Sequence, residues 1–302
     1  MSKITSIASY PDRGPYGNNK YRGNCSGYLI KDLLEHFKPK LFVDPSVGGG
    51  TSADVVKKHF PDIEFVGLDL HLGFNLLRDS LLEKLPRAAD YIFWHPPYHN
   101  MISYSGNMWG DKPHPDDLSH CKSPEEFLEK LRLALMNIYD AIKSDGHYSV
   151  LIGDIRKQGN YWSIQSDVIQ IAPGKLEGVV IKAQHNCVSD KTMYSANSFI
   201  PIAHEYCLNF RKDRMVFGML DCALQTSHKL VSLSGATWKA VVQWALQKCG
   251  GKADLSELYH VISEGAQERT KSNPNWQAKV RQTLQNMAVT VERGVWELPA
   301  AA

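Results

Sequence analysis

Three consecutive glycines, Gly48, Gly49 and Gly50, separate the apolar run "KLFVD" from a helical pattern that opens at Thr51. A strand, a turn without side chains and a helix in that order gather backbone amides and a helix N-terminus around one point, where open α/β sheets bind their ligands. The turn also limits the ligand. It lacks the GxGxxG spacing of a dinucleotide fingerprint and the GK[ST] of a phosphate loop, which disfavours a nicotinamide cofactor or a nucleoside triphosphate. Asp44, Pro45, Gly48, Gly50 and Thr51 are the residues this pattern puts at the ligand.

Neighbouring segments extend the alternation. "CSGYLIKDLLEHF" has helical spacing, with Leu29, Leu33, Leu34 and Phe37 on one face and Ser26 at the N-cap position. "IEFVGLDL" is a second strand that ends on Asp69, nineteen residues past Gly50, where an acid can accept both hydroxyls of an adenosine ribose. Asp79 is a candidate for an adenine amino group, or a helix N-cap. "DYIFW" is a third strand, and it stops on His95, Pro96, Pro97 and Tyr98. Two prolines remove two backbone donors, so this segment cannot continue a central strand and instead forms a rigid platform at its carboxyl end.

"SPEEFLEKLRLALMNIYDAI" carries Ser123, Pro124 and Glu126 at the N-cap, first and third positions, a capping box with an N-terminal proline. "HYSVLIGDI", "GVVIKAQHNC" and "IAHEYCLNFRK" read as strands, the last two as an antiparallel pair closing a parallel sheet. Asp154 in "GDIRK" is placed to line a substrate pocket or to pair with Arg156 or Lys157. Residues 1–22 have a loop-like composition suited to wrapping a ligand mouth, and residues 99–121, with Tyr104 and Trp109, form a long aperiodic loop that could close over DNA or another substrate.

From Ser232 the character changes to three helices and a short strand pair, a winged-helix-like α+β pattern. The expected division is therefore a first domain over 1–231 and a second over 232–302. In the second, Arg269, Lys271, Lys279 and Arg281 surround Trp276 on the stretch that would enter a DNA groove. The chain's 43% hydrophobic and 22% charged residues are those of a globular protein, and no apolar run reaches the roughly 20 residues of a membrane span, so a soluble cytoplasmic protein without a membrane partner is expected. Six cysteines without a CxxC pair, and His185 with Cys187 lacking a second ligand pair, give no expectation of a metal. A net charge of +2 permits an anionic partner without demanding one.

Taken in order, "DPSVGGGT", "GLDL" and "HPPY" resemble the amino-methyltransferases that act on exocyclic amino groups of DNA bases, whose signature places Asn, Asp or Ser before Pro-Pro-Tyr. The resemblance covers most of residues 20 to 212, and the order of segments is similar to the gamma arrangement of that family. It implies a Rossmann-like class I methyltransferase sheet with S-adenosylmethionine at the glycine turn, and "YRGNCSG", with Asn24 and Ser26, looks like the segment that holds the methionine carboxylate. It also implies a base flipped out of double-stranded DNA, stacked on Tyr98, with its amino group bonded to residue 95 and to the Pro96 carbonyl. The expectation is an adenine-N6 DNA methyltransferase, as in restriction-modification. Cytosine N4, an RNA or protein substrate, and a non-catalytic DNA-binding regulator stand as alternatives. His95 departs from the signature. Only a neutral imidazole can accept a hydrogen bond, so activity is expected to fall as pH drops through the ordinary histidine value near 6.5.

Overall fold

The computed structural model describes residues 4–185, 200–212, 237–292 and 294–297. Its main body is a seven-stranded sheet with helices on both faces. Strand β1 (Ile7–Ser9) precedes helix α1 (Gly27–Phe37), β2 (Leu41–Asp44), α2 (Thr51–His59), β3 (Glu64–Gly67) and β4 (Ala89–Trp94). Then follow α3 (Pro124–Ala141), β5 (Ile142–Ile152), a small hairpin of β6 (Ile155–Lys157) and β7 (Asn160–Trp162), α4 (Ile164–Ile171), β8 (Lys175–Ala183) and β9 (His204–Arg211). The sheet order is β1-β8-β9-β5-β4-β2-β3, and β9 alone runs against its neighbours β5 and β8. This is the expected Rossmann-like sheet with a late antiparallel pair.

Two features were not expected from the sequence. "SIAS" in the arm adds β1 to the sheet edge, pairing Ile7 with Ile181 in parallel, and the second strand ends at Gly67, so Asp69 follows it instead of belonging to it. Side chains alternate across the strands and split the core in two. Leu41, Val43, Ile92 and Trp94 pack with Phe127, Leu131 and Leu135 of α3, while Phe42, Tyr91 and Phe93 pack with Leu29, Leu33 and Leu34 of α1. Helix α3 starts with half of the predicted capping box: Ser123 Oγ accepts from the Glu126 amide at 3.2 Å, while the Glu126 carboxylate reaches past the N-cap to the Lys122 amide at 2.8 Å. Leu131 is fully buried on the inner face of α3. Leu131→Ala is expected to destabilise this body by about 3 kcal/mol, read by chemical denaturation.

Strand order reverses between β2 and β4. From β2 the chain moves outward to β3, then returns to the other side of β2 as β4, so a crevice opens above the carboxyl ends of β2 and β4, the place where such sheets take ligands.

The C-terminal module runs α5 (Trp238–Lys248), β10 (Lys252–Asp254), α6 (Leu255–Gly265), α7 (Gln267–Lys271), α8 (Trp276–Met287), β11 (Val289–Glu292) and β12 (Val295–Glu297). Its three strands form one antiparallel sheet in the order β10-β12-β11 around the core of Val241, Leu246, Leu258, Ile262, Val280 and Leu284. The sequence revealed the last two strands but not β10, three residues that pair only through this sheet. Leu133 and Met136 of α3 pack on the module's core, and Lys239 bonds Asp140 at the end of α3. The expected boundary at Ser232 lies outside the described residues. Among the described residues no helix is long and apolar enough to cross a membrane.

Candidate active site

The glycine turn is laced to both strands that flank it. Asp44, the last residue of β2, accepts from the Ser46 amide at 3.0 Å and from the Ser52 hydroxyl at 2.5 Å. Asp69 accepts from the Gly48 amide at 2.9 Å, and Val47 bonds the Leu68 carbonyl at 2.9 Å. Gly48 and Gly50 adopt φ of 49° and 85°, a region that favours glycine. A Cβ on Gly49 would stand 2.7 Å from the Asn24 amide group. That close approach comes from the N-terminal arm, which lies over the turn as its composition suggested: Asn18 donates to the Gly49 carbonyl at 2.7 Å, and Asn24 bonds the carbonyls of Asn18 and Tyr21.

Arm, turn and platform enclose a cleft of about 940 Å³, mouth included. Asn24, Asp44, Pro45, Gly48, Thr51, Asp69, His95, Pro97, Tyr104 and Trp109 line it, so most of the residues expected at a ligand meet in one place. Its lining charges are acidic, with Asp116 paired to Arg78 just outside the lining. Asp44, Asp69, Asp116 and Asp117 line the cleft, and no Lys or Arg stands among the described lining residues. Burial pushes the Asp44 carboxyl up to about 7 against the pull of its two hydrogen bonds, and the Asp69 charge adds to the rise. A cleft so lined favours a cationic ligand and opposes a polyphosphate.

Opposite the glycine turn, β4 delivers the platform. Its prolines end the strand, and the His95 carbonyl accepts from Ser46 at 3.4 Å, tying platform to turn. Pro96 is buried, while the Tyr98 ring lies so close to Gly153 that a Cβ there would stand 2.7 Å from it. The Tyr98 hydroxyl donates to Glu205 at 2.8 Å and meets His95 Nε2 at 3.0 Å. Burial pushes the His95 imidazole down to about 4, with the Glu205 charge opposing that shift and Lys182 reinforcing it. This corrects the expectation of a titration near 6.5: the ring is neutral throughout the physiological range because its surroundings do not solvate a cation. With cofactor saturating at every pH, an activity profile flat from pH 5 to 8 is therefore what this histidine gives, and its loss belongs near pH 4.

Several expected residues have other work. Ser26 stands at the N-cap of α1 but its hydroxyl makes no capping bond and lies buried outside the cleft lining. Asp79 accepts from the Asn75 amide at 2.8 Å and so shapes the loop whose Asn75 lines the cleft. Asp154 pairs with neither Arg156 nor Lys157. It accepts from the Tyr161 hydroxyl at 2.6 Å and the Gln165 amide at 3.0 Å, holding the β6–β7 hairpin against the start of α4. The loop over 99–121 is cross-braced by Asp117, which accepts from Ser105 and Ser119. It presents Tyr104 to Tyr21 at a ring separation of 5.9 Å.

In the C-terminal module the four cations do not share one helix. Pro274 has no amide hydrogen, and the chain breaks there, leaving Arg269 and Lys271 on α7 and Lys279 and Arg281 on α8. Lys279 bonds Glu83 of the main body at 2.8 Å, and the Arg269 guanidinium lies over the Trp238 ring at 5.3 Å. Trp276 meets Tyr259 edge-on, and Arg281 donates to the Tyr259 hydroxyl at 2.8 Å. Lys271 and Arg281 are exposed.

Sequence reading missed Tyr21, Phe74, Asn75, Asp116 and Asp117 in the lining, and Glu205 with Lys182 behind the platform. The loop residues carry no periodicity that could have marked them. Glu205 and Lys182 did leave a trace, since each is a charge inside a run otherwise read as a buried strand.

No protein family and no curated protein matches the chain. Among solved structures, TTHA0409 from Thermus thermophilus, provisionally named a DNA modification methylase, is 18% identical, covering 46% of this chain and 52% of its own at a TM-score of 0.32. TrmN from Thermus thermophilus is 14% identical, covering 63% of this chain and 50% of its own at 0.36. Human N-acetylserotonin methyltransferase in complex with SAM is 14% identical, covering 62% and 51% at 0.28. The chain thus spans about half the length of each, and at these scores the likenesses decide nothing about its activity.

Proposed function

We propose that the chain is a DNA methyltransferase that uses S-adenosylmethionine to methylate the exocyclic N6 amino group of an adenine flipped out of double-stranded DNA. The observation that carries this reading is the meeting of His95 and Pro97, from the end of β4, with the glycine turn at the end of β2 in one acidic cleft. S-adenosylmethionine carries a sulfonium and an ammonium, so it suits a cleft whose described lining residues include Asp44, Asp69 and Asp117 beside the Arg78-paired Asp116, and no Lys or Arg. The buried Thr51 hydroxyl, unpartnered among the described residues, is a further polar group available to it. Asp44 would hold the ammonium and Asp69 the ribose, with Asn24 and Thr51 at the remaining polar groups.

When bound, the cofactor supplies an electrophilic methyl group. The residues supply position. His95, neutral, accepts one hydrogen bond from the target amino group, and the Pro96 carbonyl is assigned the second. Two accepted bonds draw the nitrogen lone pair out of conjugation and aim it, with no covalent intermediate. A weakly basic imidazole suffices to take the released proton, because the protonated amine of an aromatic base is a strong acid. Tyr98 provides the aromatic face for the flipped base. The strand and helix order of the C-terminal module supports a winged helix, in which exposed Lys271 and Arg281 are the cations left for DNA phosphates. Replacing both by alanine is expected to lower the salt slope of DNA binding by about 2.

Asp44 gives this reading a pH test. Its carboxyl must be ionised to pair with an ammonium, and in the free protein it titrates at about 7. Cofactor affinity is expected to plateau above that pH and to fall about tenfold per unit below it, measured by calorimetry from pH 5.5 to 8.5. A pH-independent affinity contradicts the assignment. Methyl-labelled cofactor offered to duplex DNA, RNA and protein together tests the polymer, with label expected in DNA.

A further inference from the structure

Behind the platform lies a buried polar chain that the mechanism above does not use. Lys182 on β8 and Glu205 on β9 face each other in the sheet register and are 8% and 7% exposed. Lys182 Nζ donates to Glu205 Oε2 at 2.7 Å, the Tyr98 hydroxyl donates to Glu205 Oε1 at 2.8 Å, and His95 Nε2 stands 3.0 Å from the Tyr98 oxygen. An ion pair set within a sheet needs a reason, since apolar residues of similar volume would serve packing as well.

The polarity of the chain supplies it. Lys182 is donor-only, and Glu205 is ionised: burial opposes its charge, but Lys182 holds its carboxyl below the usual range. An ionised carboxylate can only accept, so the single Tyr98 proton is committed to Glu205. The Tyr98 oxygen can then only accept from His95, which places the imidazole proton on Nε2. Nδ1 is left as a bare lone pair, without a hydrogen-bond partner among the described residues, on a ring that lines the cleft. Among the described residues the other titratable groups that act on this chain, Cys25, Cys207 and Tyr104, are neutral, each pushed up to about 12 chiefly by burial.

We propose that Lys182 and Glu205 are positioning residues which, through Tyr98, fix His95 as the Nε2–H tautomer and so make Nδ1 the acceptor for the substrate amino group. The proposal rests on the reading of His95 as that acceptor, and it explains how an imidazole fills a place given elsewhere to Asn, Asp or Ser. An undirected neutral histidine would present a donor or an acceptor according to its tautomer. Here the sheet decides.

The test is 15N NMR of histidine-labelled protein at pH 7, with the His95 signals assigned by their loss in His95→Phe. Wild type is expected to show a protonated Nε2 and a bare Nδ1. Glu205→Gln has a definite outcome: Lys182 claims the amide oxygen, the amide NH2 faces Tyr98, the Tyr98 hydroxyl turns onto Nε2, and the proton moves to Nδ1. Turnover is then expected to fall on the order of a hundredfold or more, as a wrong tautomer does in other enzymes, with cofactor affinity unchanged. The double variant Lys182→Met with Glu205→Gln releases the amide to turn either end to Tyr98, so it is expected to give a mixture of tautomers and a turnover between those of wild type and Glu205→Gln. Tyr98→Phe cuts the chain without touching the ion pair and is expected to give a mixture of tautomers, a second reading should Glu205→Gln fold poorly. A bare Nε2 in wild type, an unchanged tautomer in Glu205→Gln, or a double variant as impaired as the single overturns the proposal. A wild type with the expected tautomer that methylates no DNA leaves the relay standing and removes the proposed function instead.

Discussion

Replacing His95 by phenylalanine is expected to reduce methyl transfer about a thousandfold while leaving cofactor affinity within about twofold of wild type. Phenylalanine keeps the ring and its burial but has no nitrogen to accept from the amino group or to receive its proton. The separation matters more than the size of the loss. His95 sits at the end of β4, and the side chains assigned to the cofactor stand on the N-terminal arm, at the end of β2, at the start of α2 and after β3. A variant that loses both properties in parallel would place His95 in the cofactor site and not at the substrate. The acid limb of the wild-type profile is expected near pH 4 if His95 governs it, because burial holds the imidazole down there.

Asp44→Asn is expected to weaken cofactor binding by more than a hundredfold and, at the same time, to stabilise the cofactor-free protein above pH 7. Both follow from one buried carboxylate. Its folded value, raised to about 7 by burial, exceeds the ordinary aspartate value, so the stability tied to its protonation is present at low pH and is lost as pH rises through 7. Asparagine can still accept from the Ser46 amide but carries no charge to bury. The gain in thermal midpoint should therefore be a few degrees at pH 8 and close to nothing at about pH 3.5, below the ordinary aspartate value. A binding residue that destabilises its own fold is the expected trade between site and scaffold. Equal midpoints at both pH values would mean that Asp44 is not held in the desolvated state described.

What could be read from the chain alone was whatever rested on local chemistry. The glycine turn, the proline-ended β4 and the Ser123 cap of α3 each follow from residues adjacent in sequence, and each stands where expected. What escaped depends on partners far apart in sequence. Strand β1 exists because β8 offers an edge, and β10 because β12 does. Lys182 and Glu205 acquire meaning only when the sheet register sets them side by side behind Tyr98. Asp79 and Asp154 show the reverse case. Carboxylates at promising positions accept backbone amides and hydroxyls within their own loops, as short acidic side chains commonly do. The titration of His95 was missed for the same reason as the relay, since burial is a property of the packed sheet and leaves no mark on the tetrapeptide.

The histidine also sharpens what the cleft must do. A donor-acceptor pair that can reverse with tautomer is a poor reader of an amino group unless something fixes it, and the ion pair behind Tyr98 is placed to do so.

The account is tested most directly by incubating the full chain with methyl-labelled S-adenosylmethionine and duplex DNA of mixed sequence, digesting the DNA to nucleosides and identifying the labelled one. The account predicts N6-methyl-2′-deoxyadenosine, absent when His95→Phe replaces the wild type. N4-methylcytosine would keep the exocyclic-amine chemistry but contradict adenine as the target. Label on a ring carbon, or no labelled nucleoside, would contradict the account as a whole.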